Sequence, residues 1–253
     1  AFAGVTGRLR KELKIPVITS NRINMPDVAE QVLVDGHADL VSMARPMLAD
    51  AELVNKAFEG REDEINTCIA CNQACLDHTF GGKSVSCLVN PRAAHETLLN
   101  YHPTGTPKKI AVIGAGPAGM SYATVAAERG HSVTLFDAAS EIGGQFNLAK
   151  QVPGKEEFYE TLRYYKRMLE IYNVELCLNT MVSAEHLKQR DFDHVVVATG
   201  ITPRTPDIEG INHPSVVSYI DVIRGNCEVG NRVAVMGAGG IGFDVSELIM
   251  HSG

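Results

Sequence analysis

Residues 109–119 read Lys-Ile-Ala-Val-Ile-Gly-Ala-Gly-Pro-Ala-Gly, an apolar strand pattern that runs into a G-x-G-x-x-G loop. The following residues predict a helix from Ala118 to Arg129 and a second strand, 132–136, that ends on Asp137. This order of strand, glycine loop, helix and acid-tipped strand is typical of the βαβ unit that binds a dinucleotide. Because the whole unit is present, a glycine turn without a ligand is the weaker interpretation.

Each position of the loop has a physical role in that interpretation. Gly114 permits the tight turn, Gly116 lets the backbone approach a pyrophosphate, and Gly119 lets the helix pack against the strand. The pyrophosphate is expected at the helix N-terminus, and Asp137 is expected to accept hydrogen bonds from the adenosine ribose. The predicted contacts are Gly114, Gly116, Pro117, Ala118, Gly119 and Asp137.

The segments after Asp137 indicate that this dinucleotide is FAD. Gly143 and Gly144 form a glycine pair whose bare backbone can contact a flavin diphosphate or ribityl chain, with Gln145 beside it. A predicted strand, 194–200, ends in Ala-Thr-Gly, a pattern typical of flavoproteins with two dinucleotide domains. The turn that ends at Val182 is expected to meet the adenine.

A second fingerprint, Gly237-Ala-Gly239-Gly-Ile-Gly242, follows about 120 residues after the first. Its helix is predicted from Phe243 onward. Two fingerprints in one chain favour FAD on the first and a nicotinamide nucleotide on the second, with the three numbered glycines as contacts. The residue that distinguishes NAD from NADP would follow a later strand.

Four of the six cysteines fall between residues 68 and 87: Cys68, Cys71, Cys75 and Cys87. A disulfide framework is typical of small secreted domains, whereas this chain has 253 residues and shows no secretory signal. Zinc prefers two separated pairs of ligands, but here three thiols crowd one loop. Three close cysteines with a distant fourth suit a [4Fe-4S] cluster. We predict a cluster, with zinc or unligated cysteines as alternatives.

Residues 1–60 alternate between strand and helix patterns. Two βα units cannot close a sheet, so we interpret them as the last two units of a (β/α)₈ barrel. Loops after the last two barrel strands often bind phosphate, and Arg22 and Arg45 stand in those loops. We expect both to contact FMN, with rim salt bridges as the alternative. The predicted strands are 15–19, taken as buried, and 39–43, and the predicted helices run from Pro26 to Gly36 and over 50–58.

Composition narrows the class of protein. The net charge of −7 gives no reason to expect nucleic acid, and no apolar run reaches transmembrane length. Free cysteines and an iron–sulfur site indicate a reducing compartment, so we expect a cytoplasmic protein without membrane partners. The expected fold is α/β, with a barrel end (1–60), an iron–sulfur loop and linker (61–107), a Rossmann-like FAD domain (108–228) and the start of an NAD(P) domain (229–253).

The order of these motifs resembles the iron–sulfur flavoenzymes related to old yellow enzyme. Within them the chain is most similar to bacterial NADPH-dependent 2,4-dienoyl-CoA reductases, on the motifs at 21–24, 42–46 and 153–156 as well. The resemblance implies FMN, a [4Fe-4S] cluster, FAD and NADPH, and it adds Ala44 and Lys155 to the expected cofactor contacts. It also implies a small-molecule enoyl- or dienoyl-CoA substrate in fatty-acid β-oxidation.

Three other interpretations stay open: an amine dehydrogenase of the same architecture, an electron-transfer subunit that resembles the glutamate synthase small subunit, and a zinc-stabilised structural module. We also expect the sequence to be an excerpt of a longer protein. In that case the catalytic acid lies upstream of residue 1, and the excerpt alone does not turn over substrate.

Overall fold

The computed structural model describes residues 2–251. The chain folds as two compact units. The first comprises Ala1–His102 with Arg163–Met168, and the second comprises Pro103–Leu162 with Leu169–Gly253. Both contain parallel sheet and helices, which confirms the α/β class.

The first unit has a two-stranded parallel sheet, in which β1 (Ile18–Ser20) pairs with β2 (Leu40–Ser42). Both strands are shorter than predicted, and the expectation of a buried first strand was wrong: Thr19 is buried, but Ile15 and Ile18 are 68% and 60% exposed. A parallel strand is buried when neighbouring strands and helices cover it on both faces. Among the described residues of this unit, β1 has one partner strand.

The helices of the first unit include one that the sequence did not predict, α1, which contains two glycines. The predicted helix over 50–58 is wrong at its start, because Asp50 adopts an extended backbone that separates two shorter helices. The first of these begins at Arg45 with a proline in its first turn, a position that suits proline. The helices are α1 (Ala3–Glu12), α2 (Pro26–Val34), α3 (Arg45–Ala49), α4 (Leu53–Phe58), a 3₁₀ turn (Glu62–Glu64) and α5 (Leu76–Phe80).

The second unit is built on a four-stranded parallel sheet in the order β5-β4-β3-β6. This is the order of a dinucleotide-binding half, in which the first strand is central and the chain reverses beside it. Its core includes the fully buried Val112, Met120 and Leu135. The strands are β3 (Lys109–Ile113), β4 (Ser132–Phe136), β5 (Glu175–Cys177) and β6 (His194–Val197); the helices are α6 (Pro117–Glu128), α7 (Phe146–Ala149), α8 (Phe158–Ile171), α9 (Ala184–Gln189), α10 (Tyr219–Ile223) and α11 (Gly240–His251).

The predicted bounds of β3 and β4 are confirmed residue for residue. α8 begins at Phe158, four residues after Gly154, whose φ of +81° is incompatible with a helix. α11 begins at Gly240, before the predicted Phe243. Among residues 2–251, none of the helices is long and apolar enough to cross a membrane.

Candidate cofactor-binding sites

The first glycine loop connects β3 to α6 and has the geometry that the sequence predicted. Gly114 has a φ of +107°, and its N–H donates to the carbonyl of Phe136 at 2.7 Å. A Cβ on Gly119 would overlap the Gly114 carbonyl oxygen, so the close approach of helix and loop requires glycine. At Gly116 a Cβ would meet no atom within 4 Å, which leaves open space in front of the backbone where α6 begins.

The glycine pair at 143–144 packs against this loop. Gly143 N–H donates to the carbonyl of Ala115 at 2.8 Å, and a Cβ on Gly144 would stand 3.1 Å from the Cα of Gly116. Gln145 lies on the same turn, where its Nε2 donates to the carbonyl of Ile201 at 2.9 Å. The two glycine-rich segments therefore form one cradle of bare backbone, as an extended diphosphate requires.

Asp137 has a structural role that sequence reasoning missed. Its Oδ2 accepts from the N–H of Ala115 at 2.6 Å, and its Oδ1 accepts from the N–H of Ala139 at 2.8 Å. The carboxylate thus fastens the glycine loop to the end of β4. A carboxylate has about four lone-pair sites, so capacity for a ribose hydroxyl remains.

The second fingerprint repeats the turn of the first. Gly237 has a φ of +114°, and a Cβ on Gly242 would overlap the Gly237 carbonyl oxygen, whereas Gly239 faces open space. Lys155 lies near the resulting helix, since its Nζ pairs with Oδ2 of Asp244 on α11 at 2.6 Å. Val182 is half-buried after β5.

The four predicted cysteines line a single cavity with an empty volume of about 310 Å³, part of it open to solvent. The loop closes because the Ser86 N–H donates to the Ala74 carbonyl at 2.7 Å, which brings the two halves of the cysteine segment together. The other lining residues are Arg45, Leu48, Ile69, Asn72, Ala74, Leu88 and Val89.

Asparagine amides fix the ends of this loop, a feature that sequence reasoning missed. Asn66 Nδ2 donates to the carbonyl of Val89 at 2.8 Å, and Asn24 Nδ2 donates to the carbonyl of Cys68 at 3.0 Å. Inside the loop, Ala70 has a φ of +54°, a conformation that costs of order 1–3 kcal/mol and clusters at functional sites.

Partial burial changes the acidity of two of the four thiols. Burial raises the pKa of the Cys68 and Cys87 thiols above the usual value, opposed at Cys68 by a backbone hydrogen bond from Ala70 and by the charge of Arg45. A metal must therefore displace these protons on binding.

Zinc and a [4Fe-4S] cluster require different distances between the four thiolates. Within residues 2–251, no group of three or more His, Cys, Asp or Glu side chains is positioned to hold a metal ion. Zinc–sulfur bonds of about 2.3 Å place tetrahedral thiolates roughly 3.8 Å apart. In a cubane each cysteine binds a different iron, so the thiolates stand farther apart around one cavity.

Arg45 and Arg22, both predicted to contact FMN, differ in their surroundings. Arg45 is half-buried and lines the cysteine cavity, where it hydrogen-bonds Asn72, a contact that the sequence did not predict. Arg22 is exposed with a φ of +55°, and Ala44 is exposed at the N-terminus of α3.

Two family models match separate parts of the chain. Residues 108–253 match the family described as pyridine nucleotide-disulphide oxidoreductase, and residues 3–64 match the NADH:flavin oxidoreductase / NADH oxidase family. The first match covers more than half of the chain and includes both glycine fingerprints.

Individual relatives are similar to this chain over both of the regions that the family models match. A metal reductase of Desulforamulus reducens is 41% identical over 100% of this chain and 38% of its own length. A cinnamate reductase of Clostridium sporogenes is 34% identical over 97% of this chain and 36% of its own length. A 2-naphthoyl-CoA reductase, solved in complex with 2-naphthoyl-CoA, superposes with a TM-score of 0.93 at 36% identity, over 99% of this chain and 38% of that one.

The chain spans under two fifths of the length of these relatives. Amine dehydrogenases also occur among its matches. The glycine loop, the sheet order and the match over residues 108–253 agree with one another, and the chain belongs to the pyridine nucleotide-disulphide oxidoreductase family.

Proposed function

We propose that the chain is part of an iron–sulfur flavoprotein oxidoreductase, in which electrons pass from NADPH through FAD and a [4Fe-4S] cluster to FMN and reduce 2,4-dienoyl-CoA in fatty-acid β-oxidation. The cysteine cavity carries the proposal, because four cysteines spread over twenty positions come together around one space. A 2-naphthoyl-CoA reductase among the similar structures supports a CoA thioester as the substrate class.

The chain's own residues have distinct tasks in this proposal. Gly114 makes the tight turn that lets Gly116 and the start of α6 present their backbone to the FAD pyrophosphate, while Asp137 keeps the loop closed and accepts from the ribose. Cys68, Cys71, Cys75 and Cys87 hold the cluster as thiolates. When bound, the flavins supply the conversion of a two-electron hydride into the single electrons that a cluster carries.

The remaining assignments follow the same scheme. Arg22, Ala44 and Arg45 contact FMN in a barrel end formed by residues 1–60, and the second fingerprint binds NADPH. Residues 61–107 form the cluster segment, 108–228 the FAD domain and 229–253 the start of the NADPH domain. A reducing, cytoplasmic location keeps the thiols available for iron, and no nucleic-acid or membrane partner is involved.

Iron, sulfide and flavin counts test the proposal on protein expressed from its natural gene. After anaerobic reconstitution we expect about four irons and four sulfides per chain, as the cluster type requires, with one FAD and one FMN. Serine at each of Cys68, Cys71, Cys75 and Cys87 lowers the iron content, whereas Cys177→Ser and Cys227→Ser serve as matched controls and leave it unchanged. Stoichiometric zinc without iron contradicts the proposal.

A second candidate is an amine dehydrogenase of the same architecture, which the amine dehydrogenases among the matches favour. Such a protein would hold ADP in the second dinucleotide site and pass electrons from an amine to a partner protein. One flavin per chain, with no oxidation of NADPH, supports this candidate over the reductase. An electron-transfer subunit would bind FAD and the cluster but reduce no dienoyl-CoA.

A further inference from the structure

The guanidinium of Arg45 is held against the cysteine loop by two side-chain hydrogen bonds. Its Nη1 donates to Oδ1 of Asn72 at 2.6 Å, and its Nη2 donates to Oδ1 of Asn21 at 3.1 Å. Asn72 follows Cys71 directly, so the shorter bond joins the arginine to the loop that carries the ligands. Asn72 and Asn21 have φ values of +61° and +80°, a conformation in which asparagine is enriched.

Arg45 differs in charge from the other residues that line the cysteine cavity. Of the eleven residues that line it in the described part of the chain, Arg45 is the one with a permanent charge; the others are the four cysteines, one amide and apolar side chains. Unit charges interact more strongly beside apolar protein than in water. The potential of an iron–sulfur cluster depends on net charge, hydrogen bonding and solvent exposure around it.

We propose that Arg45 raises the reduction potential of the cluster through its fixed positive charge, in addition to any contact that it makes with FMN. The inference rests on the proposed function, because it requires a cluster at the four cysteines. One-electron reduction adds negative charge inside the cavity, and a cation fixed at its wall stabilises that state. Arg45 thereby makes the cluster a better electron acceptor.

Two variants test this role by different routes. Arg45→Met removes the charge and keeps an unbranched side chain. Asn72→Asp keeps the guanidinium in place but pairs it with a carboxylate, and aspartate tolerates the left-handed backbone at this position. Arg45→Lys retains the charge, and Arg8→Met is the matched control, since Arg8 is exposed on α1.

The measurement is a reductive titration of the reconstituted protein, expressed from its natural gene, followed by the electron paramagnetic resonance of the reduced cluster. At the wild-type midpoint we expect the ratio of reduced to oxidised cluster to fall at least tenfold in Arg45→Met and Asn72→Asp, which lowers the midpoint by about 59 mV. Arg45→Lys recovers most of this loss, and Arg8→Met matches the wild type. Iron content is measured on every sample.

The outcomes separate this inference from the proposed function. A wild-type protein that binds no iron contradicts the proposed function itself. A wild-type cluster whose midpoint is unchanged in Arg45→Met and Asn72→Asp overturns only the electrostatic role of Arg45. If Arg45→Met loses iron while Asn72→Asp keeps the wild-type midpoint, Arg45 merely holds the loop, and the inference is also overturned.

Discussion

Gly116→Val separates ligand binding from folding in the first glycine loop. A Cβ at Gly116 meets no atom within 4 Å, and the backbone there (φ −75°, ψ 179°) is open to any residue. We expect the free energy of unfolding of the FAD-free variant to lie within about 0.5 kcal/mol of the wild-type value. The valine would stand where the pyrophosphate approaches, and each charge-assisted hydrogen bond lost costs about 1.5–3 kcal/mol. FAD affinity should therefore fall roughly 10- to 150-fold.

Gly119→Ala, three residues further on, should show the opposite behaviour. Its Cβ would overlap the backbone oxygen of Gly114, which no side-chain rotation can relieve. Overpacking of this kind costs about 1–3 kcal/mol. For a chain of this size, that corresponds to a fall in Tm of roughly 2–12 °C.

Thermal unfolding of the FAD-free proteins, together with fluorescence titration with FAD, measures both quantities. Wild-type FAD affinity in Gly116→Val would refute the assignment of the pyrophosphate to this loop. A Gly116→Val protein that unfolds without FAD would refute the geometric argument. A Gly119→Ala protein of wild-type stability would show that α6 can move away from the loop at no cost.

Three further predictions concern single side chains. Asp137→Ala frees two backbone amides and should lower the stability of the FAD-free protein by about 1–3 kcal/mol; an effect seen only with FAD present would limit Asp137 to ligand binding. Asp50→Ala should cost about 3–5 kcal/mol in urea unfolding, because it leaves the largely buried Lys56 without its carboxylate; a change below 1 kcal/mol would contradict this. The hydroxyl of Thr134 lowers the pKa of Glu175, and the nearby Arg190 acts in the same direction. The ionised Glu175 therefore stabilises the fold fully above its unfolded pKa of about 4.5. This stabilisation is lost as the pH falls through the lowered folded pKa. Glu175→Gln should flatten that part of the stability–pH curve, and parallel curves would show no such linkage.

The sequence predicted the first dinucleotide unit well because its signals are local. Glycines at fixed spacing, an apolar run before them and Asp137 after the next strand sufficed to place β3, α6 and β4. The helix α1 escaped prediction because Gly4 and Gly7 disfavour a helix. The helix instead depends on packing against a residue distant in sequence. Gly7 lies so close to His37 that a Cβ on Gly7 would stand 2.6 Å from the His37 ring.

At the cysteine site, too, the sequence predicted local features but not contacts between residues that are distant in the chain. The spacing of the four cysteines predicted that they act together, and the structure brings them to one cavity. The bond from Arg45 to Asn72 joins residues 27 positions apart, and no pattern within either segment encodes it. The backbone of Asp137 was placed correctly at the end of its strand, but its bond to Ala115 follows only from the folded turn.

The first unit is discontinuous in sequence, since it includes Arg163–Met168. Within it, Arg163 donates to the carbonyls of Asp63 and Ile65 and to the hydroxyl of Thr67, the residue before the first cysteine ligand. A gene cut at the linker after His102 would remove this arginine from the cluster segment. Exchange of modules by recombination at that linker should therefore be poorly tolerated, because it separates Arg163 from the carbonyls and the hydroxyl that it binds.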